Sequence, residues 1–175
     1  MKVVCFGDSN TFGYNPCAKF GECYDHRWTD ILSEISGWEV VNEGVNGREV
    51  PDTPAWIPDN TDLFLVMLGT NDLLQLDTPE AATDRMKLFL SGSDVNKTVL
   101  LAPPAMVWGD WVQEQELIDD SVRLGRLYSD LAIEVGVKFL NTAEWNLTLC
   151  YDGVHLTQES QEVFARRLYH ELSAF

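Results

Sequence analysis

Short runs of consecutive apolar residues are the feature that most constrains the fold of this chain. Val3–Phe6, Leu63–Leu68 and Thr98–Ala102 carry almost no polar side chain, and each predicts a strand buried on both faces. Trp38–Val41 and Val137–Leu140 predict two further strands. Strands buried on both faces are typical of parallel sheets, in which helices form the connections. The pattern therefore indicates an α/β protein.

Amphipathic segments separate these strands. One helix is expected to begin after a cap at Asp25 and to end at Gly37. A second follows the start signal Thr78-Pro79-Glu80, a third precedes the last strand, and Thr157 opens a fourth. Three of the four helices show apolar residues along one side. The first has Trp28, Ile31, Leu32 and Ile35, the third has Leu117, Leu124, Tyr128, Leu131 and Val135, and the fourth has Phe164, Leu168 and Leu172. Strands alternating with helices predict a three-layer α/β/α sandwich around a five-stranded parallel sheet.

Length and charge narrow the classes of function. The 175 residues suit one domain over 1–175, because no repeat or linker divides them. A net charge of −16 repels phosphate backbones and anionic lipid headgroups, so we expect neither nucleic acid nor a membrane as a partner. No apolar run matches a signal peptide or a membrane span, which predicts a cytoplasmic protein. The cysteines fit no zinc pattern, so no metal is expected.

Glycines and polar residues follow three of the predicted strands. They are Ser9 within Gly7-Asp8-Ser9, Gly44 with Asn46 and Gly47, and Asn71 with Asp72. The carboxyl ends of parallel strands meet at one edge of the sheet, where α/β proteins bind ligands, so these groups can converge. Each one alone has an ordinary explanation as a turn or a cap. Their joint occurrence, in order, favours a catalytic site.

A late loop over 141–156 adds a carboxylate and an imidazole, Asp152 and His155. Their spacing lets both turn to one side, so that Asp152 can hold one ring nitrogen while the other faces a nucleophile. A serine hydroxyl needs such a base to take its proton. The backbone N–H groups of Ser9 and Gly44, with the Asn71 amide, can stabilise an oxyanion.

With these motifs the chain resembles the SGNH (GDSL) hydrolases. The four blocks of that family match, in order, Gly7-Asp8-Ser9, Gly44, Gly69-Thr70-Asn71-Asp72 and Asp152-Gly153-Val154-His155. The resemblance implies a flavodoxin-like fold, no cofactor, Ser9 as nucleophile, His155 as general base and then acid, and Asp152 as the residue that orients His155. It also implies an oxyanion hole formed by the Ser9 N–H, the Gly44 N–H and the Asn71 side chain.

The chain also resembles the small bacterial arylesterases and acetyl-ester hydrolases of that family. This implies hydrolysis of short-chain esters, acetyl to butyryl, with a small-molecule substrate and an acyl-enzyme intermediate. Two alternatives stay open: the same chemistry on an acetylated carbohydrate, a thioester or a lysophospholipid, and a non-catalytic binding module. Phe12, Trp108 and Trp111 are candidates either for lining the pocket or for packing. The short, proline-rich segment 48–62 departs from those relatives and leaves formation of a homo-oligomer open.

Overall fold

The computed structural model describes residues 1–173, which contain one sheet of five parallel strands. The strands are β1 (Lys2–Gly7), β2 (Glu39–Gly44), β3 (Leu63–Met67), β4 (Thr98–Ala102) and β5 (Lys138–Asn141), in the order β2-β1-β3-β4-β5. Gly7 pairs with Gly44 on one side and with Met67 on the other. The carboxyl ends of the three strands are therefore level, and the predicted parallel sheet is confirmed.

Helices cover both faces of the sheet. They are α1 (Ser9–Phe12), α2 (Trp28–Ser36), α3 (Thr70–Leu74), α4 (Pro79–Leu90), α5 (Gln115–Val135) and α6 (Gln158–Ser173), with a 3₁₀ turn at Thr142–Glu144. Val66 and its layer pack against α4 and α5, whereas Leu65 and its layer pack against α2 and α6. Neighbouring residues of one strand thus enter opposite cores, which confirms the three-layer sandwich.

Three local features differ from the sequence expectation. Helix α2 begins at Trp28, and its N-cap is Arg27 rather than Asp25. The Arg27 backbone N–H donates to Asp30 Oδ2 at 3.0 Å, so the acid in the first turn satisfies the cap. The one-turn helices α1 and α3 replace predicted turns and loops, because helices of four and five residues are too short to show an apolar period.

Two further findings concern the same described residues. Among residues 1–173, no helix has both the length and the apolar composition needed to cross a bilayer. All four cysteines, Cys5, Cys17, Cys23 and Cys150, are free.

A buried ion pair holds the chain beyond β3. Asp72 of α3 is fully buried, and Arg85 of α4 donates to its Oδ1 at 2.6 Å. The Val50 N–H lies 3.2 and 3.1 Å from the two oxygens of the same carboxylate. Asp72 therefore joins α3, α4 and the segment after β2 at one point.

Replacing Arg85 tests this junction. We expect Arg85→Met to lower the free energy of unfolding by about 3–5 kcal/mol, because it leaves the Asp72 carboxylate buried without its partner. The matched control is Arg123→Met, which breaks the exposed pair with Glu80 and is expected to cost only about 0–1 kcal/mol. Urea-induced unfolding measures both, and similar losses in the two variants would contradict the role given to Asp72.

Candidate active site

Three side chains form a continuous line of hydrogen bonds at the carboxyl edge of the sheet. Ser9 begins α1 directly after β1, and its Oγ lies 2.9 Å from His155 Nε2. His155 Nδ1 lies 2.7 Å from Asp152 Oδ2. All three side chains are buried. The structure thus brings together Ser9 and two residues that follow it by more than 140 positions.

The environment of Asp152 orients the imidazole. Its Oδ1 accepts hydrogen bonds from the backbone N–H groups of Val154 (2.9 Å) and His155 (3.0 Å). Burial raises the pKa of Asp152, but these bonds and the His155 side chain outweigh it and hold the pKa below its ordinary value. An ionised carboxylate only accepts hydrogen bonds, so Nδ1 of His155 carries the proton. Nε2 is then free to accept the proton of the Ser9 hydroxyl.

A cavity of about 250 Å³ opens beside Ser9. It is lined by Ser9, Tyr14, Asn46, Gly47, Asn71, Leu74, Trp111 and His155. The ring centroid of Tyr14 lies 4.6 Å from that of the His155 imidazole, and the ring centroid of Trp111 lies 5.2 Å from it in a T-shaped contact. The base is therefore enclosed by two aromatic rings.

The aromatic candidates from the sequence are only partly placed at this cavity. Trp111 lines it, whereas Phe12 and Trp108 do not, and Trp108 is 60% exposed. Tyr14 was missed by sequence reasoning. It reaches the site because Gly13 adopts φ +83° after α1 and turns the chain back over the serine. No motif in the sequence signals this turn.

The structure contradicts Gly44 as an oxyanion donor. Its N–H already donates to Asn42 Oδ1 at 2.9 Å, and Gly44 does not line the cavity. A Cβ at position 44 would lie 2.1 Å from the backbone nitrogen of Phe12, so only glycine at this position allows β2 to pack this closely against α1.

Two other groups do face the cavity with hydrogen-bond donors. The Asn71 amide donates one N–H to the Arg48 carbonyl at 3.1 Å, which leaves its second N–H unused. The backbone N–H of Gly47 has no hydrogen-bond partner within residues 1–173. The sequence placed Gly47 beside Gly44 in the same loop, but it could not tell which of the two N–H groups is free.

Three carboxylates near the site, those of Glu49, Asp72 and Asp77, lie close enough together to bind a metal ion. The guanidinium of Arg85 already pairs with Asp72 and Asp77. A cationic side chain thus already pairs with two of the three carboxylates in this cluster.

Asp8, next to Ser9, is a buried carboxylate with an incomplete set of partners. Its Oδ1 caps α1 by accepting the Asn10 N–H at 2.9 Å, while its Oδ2 has no hydrogen-bond partner in the described part of the chain. Burial, together with the charge of Asp72, raises the pKa of Asp8 to about 6, against the lowering effects of the Asn10 hydrogen bond, of His155 and of the nearby Thr70 hydroxyl. Ionised Asp8 is therefore a cost to the folded state.

Comparisons with known proteins identify a matching family and similar solved structures. The family model of the GDSL-like lipases/acylhydrolases matches residues 5–163. An aryl esterase of M. smegmatis is 22% identical, with a TM-score of 0.82 over 99% of this chain and 98% of that chain. Est24, a carbohydrate acetylesterase from Sinorhizobium meliloti, is 23% identical, with a TM-score of 0.83 over 99% and 98%. A candidate arylesterase from Agrobacterium tumefaciens is 29% identical, with a TM-score of 0.80 over 99% and 98%. No curated protein sequence matches the chain.

Removing the charge of Asp8 tests its cost to stability. The raised pKa of Asp8 means that the folded state loses stability as the pH rises from about 4 to about 6, where the carboxyl ionises. We expect Asp8→Asn, which keeps an oxygen to cap α1, to raise the free energy of unfolding by about 3 kcal/mol at pH 8 and hardly at all at pH 4. Urea unfolding at both pH values measures this, with the exposed Asp130→Asn as control. An equal gain at the two pH values would rule out the charge as its cause.

Proposed function

From its membership of the GDSL-like lipase/acylhydrolase family, which makes this chain a carboxylic ester hydrolase, we propose that it is a serine esterase for short acyl groups, acetyl to butyryl. The observation that carries the proposal is the 2.9 Å hydrogen bond from Ser9 Oγ to His155 Nε2, continued at 2.7 Å to Asp152. In this proposal Ser9 is the nucleophile, His155 the base and Asp152 its orienting partner.

The reaction proceeds in two displacements. Ser9 Oγ attacks the ester carbonyl while His155 Nε2 takes the hydroxyl proton, and the imidazolium is stabilised by ionised Asp152. The C–O bond to the alcohol breaks, His155 returns the proton to the alcohol, and an acyl-enzyme remains on Ser9. Water then attacks the acyl carbonyl, giving its proton to His155. The imidazolium protonates Ser9 Oγ as the acid leaves.

The oxyanion that forms in each step needs donors near Ser9. We assign this role to the N–H of Ser9, the N–H of Gly47 and the free N–H of the Asn71 amide. Gly47 and Asn71 line the cavity next to Ser9, and both have an unused donor. Loss of one such donor typically costs about 3 kcal/mol of transition-state stabilisation.

The size of the cavity supports a short acyl group. Its volume of about 250 Å³ lies below the ~300–1,000 Å³ typical of pockets for drug-sized ligands. Leu74, Tyr14 and Trp111 give it apolar walls, which suit an acetyl to butyryl chain.

A second candidate, deacetylation of a carbohydrate, is favoured by a neighbouring cleft. A cleft of about 570 Å³ shares Leu74 and Trp111 with the Ser9 cavity. Five carboxylates line it and no Lys or Arg does; they are Asp77, Asp110, Glu114, Glu116 and Asp120. Carboxylates can accept hydrogen bonds from sugar hydroxyls and repel anions, so this cleft disfavours acyl-CoA and lysophospholipid leaving groups.

Replacing Ser9 tests the proposed nucleophile. We expect Ser9→Ala to lower hydrolysis of p-nitrophenyl acetate by at least about 10³-fold, because no other group can form the acyl-enzyme. Ser129→Ala on α5 is the matched control and should keep wild-type activity.

A fluorophosphonate probe separates the enzyme from a binding module. The probe should label wild type at Ser9 and should not label Ser9→Ala. A wild-type protein that is neither labelled nor able to hydrolyse the ester would refute the esterase assignment.

A pair of substrates that differ in charge tests the acidic cleft as the leaving-group site. We expect kcat/KM for methyl 4-acetoxybenzoate to exceed that for the anion 4-acetoxybenzoate by about tenfold at low salt, with a smaller ratio at high salt. The double variant Asp110→Asn/Glu114→Gln should reduce the ratio, whereas Asp130→Asn on α5 should leave it unchanged. Equal kcat/KM values for the two esters would count against the acidic cleft as the leaving-group site.

A further inference from the structure

Asn10, the residue after Ser9, makes contacts that the reaction scheme does not explain. It is 2% exposed and does not line the Ser9 cavity. Its Oδ1 accepts the Leu156 N–H at 3.0 Å, and its Nδ2 donates to the Val154 carbonyl at 3.2 Å. These two peptide groups lie on either side of His155. The Asn10 side chain is thus hydrogen-bonded to the backbone on both sides of the proposed base.

We propose that Asn10 is a positioning residue that sets the distance between Ser9 Oγ and His155 Nε2. The inference rests on the roles proposed above for Ser9 and His155. Ser9 and Asn10 are consecutive residues of α1, so a fixed Asn10 side chain ties the nucleophile to the loop of the base. A carboxamide suits this task because it offers a donor and an acceptor in one plane, whereas a carboxylate only accepts.

Few other hydrogen bonds join α1 to the loop that carries His155. Between Ser9–Phe12 and the loop 150–156, the structure shows one further hydrogen bond besides those of Asn10, the Ser9–His155 bond itself. The Asp152 carboxylate organises the loop internally and makes no hydrogen bond to α1. Without Asn10, the Ser9–His155 bond would be the one remaining hydrogen bond between these two segments in the described part of the chain.

Asn10 is itself held in place from the opposite side. Trp28 Nε1 donates to the Asn10 carbonyl at 2.9 Å, and the Trp28 N–H donates to Gln161 Oε1 at 2.9 Å. Asp8 Oδ1 accepts the Asn10 N–H. Trp28 and Gln161 are buried between α2 and α6, so Asn10 is anchored to the packed core. Core packing is therefore transmitted to the position of His155.

The consequence for catalysis is a specific kinetic signature. Small displacements of reacting groups can cost about 100-fold in rate, since proton transfer depends on a close approach. Asn10 does not contact the cavity, so its loss should lower kcat and leave KM nearly unchanged. A residue that only stabilises the fold would change neither constant in the folded protein.

The test compares two variants of Asn10 with a control variant at another position. Asn10→Ala removes both hydrogen bonds, and Asn10→Asp keeps the shape and the acceptor but loses the donor to Val154. We expect both to lower kcat for p-nitrophenyl acetate by about 100-fold, with KM within about twofold of wild type. The control, Thr142→Val, removes a buried hydrogen bond to the Ala102 carbonyl. Within residues 1–173 the Thr142 side chain makes no hydrogen bond to α1 or to the loop 150–156, so kcat should stay within about threefold of wild type. Circular dichroism and urea unfolding establish that each variant is folded under assay conditions.

Hydrogen exchange provides a measurement that does not depend on enzymatic activity. In wild type the Leu156 amide should exchange as slowly as the Trp28 amide, which is bonded to buried Gln161, and Asn10→Ala should speed exchange at Leu156. Rapid exchange at Leu156 in wild type, or wild-type kcat in folded Asn10→Ala and Asn10→Asp, would overturn the proposed positioning role of Asn10. A rise in KM with unchanged kcat would overturn it as well. Failure of the esterase proposal is distinct, because wild type itself would then be inactive and unlabelled at Ser9.

Discussion

The level register of β1, β2 and β3 is the constraint on which the site depends. Gly7 pairs with both Gly44 and Met67, so three strands end at the same height. The chain leaves each of these ends through a short turn or helix, which brings Ser9, Gly47 and Asn71 to one cavity. A shift of one residue in any strand would turn its side chains to the other face and separate these groups. The hydrogen bonds of the sheet thus set the geometry of the proposed chemistry.

Three fully buried carboxylates near this edge of the sheet differ in the hydrogen-bond and ion-pair partners that compensate their charge. Asp152 accepts three hydrogen bonds from Val154 and His155, and its pKa is lowered. Asp72 is neutralised by Arg85. Asp8 has a raised pKa, and one of its oxygens has no hydrogen-bond partner among residues 1–173. Burial costs a carboxylate several kcal/mol unless partners compensate, so the uncompensated charge next to Ser9 marks a place where stability is reduced beside the reacting groups.

Much of the fold was readable from the sequence because its signals are local. Unbroken apolar runs identified the strands of the double-sided sheet, and the cap Thr78 with Pro79 placed the start of α4. The helix α2 was found from its apolar face, although its cap is Arg27 and not Asp25. The one-turn helices α1 and α3 escaped prediction because capping and the packing of neighbouring segments hold them, with no period of their own.

For the site, residue types and their order along the chain establish which chemical groups are available: a serine after the first strand, an amide after the third, and a carboxylate with an imidazole in a late loop. Which atoms of these groups are free to act depends on the contacts made in the folded protein. Gly44 and Gly47 are alike in sequence, but the Asn42 side chain occupies the N–H of Gly44 and leaves that of Gly47 open. The hydrogen bonds of Asn10 on both sides of His155 likewise join residues that are 144 and 146 positions apart. Contacts at such separation arise only when the fold brings the two ends of the chain together.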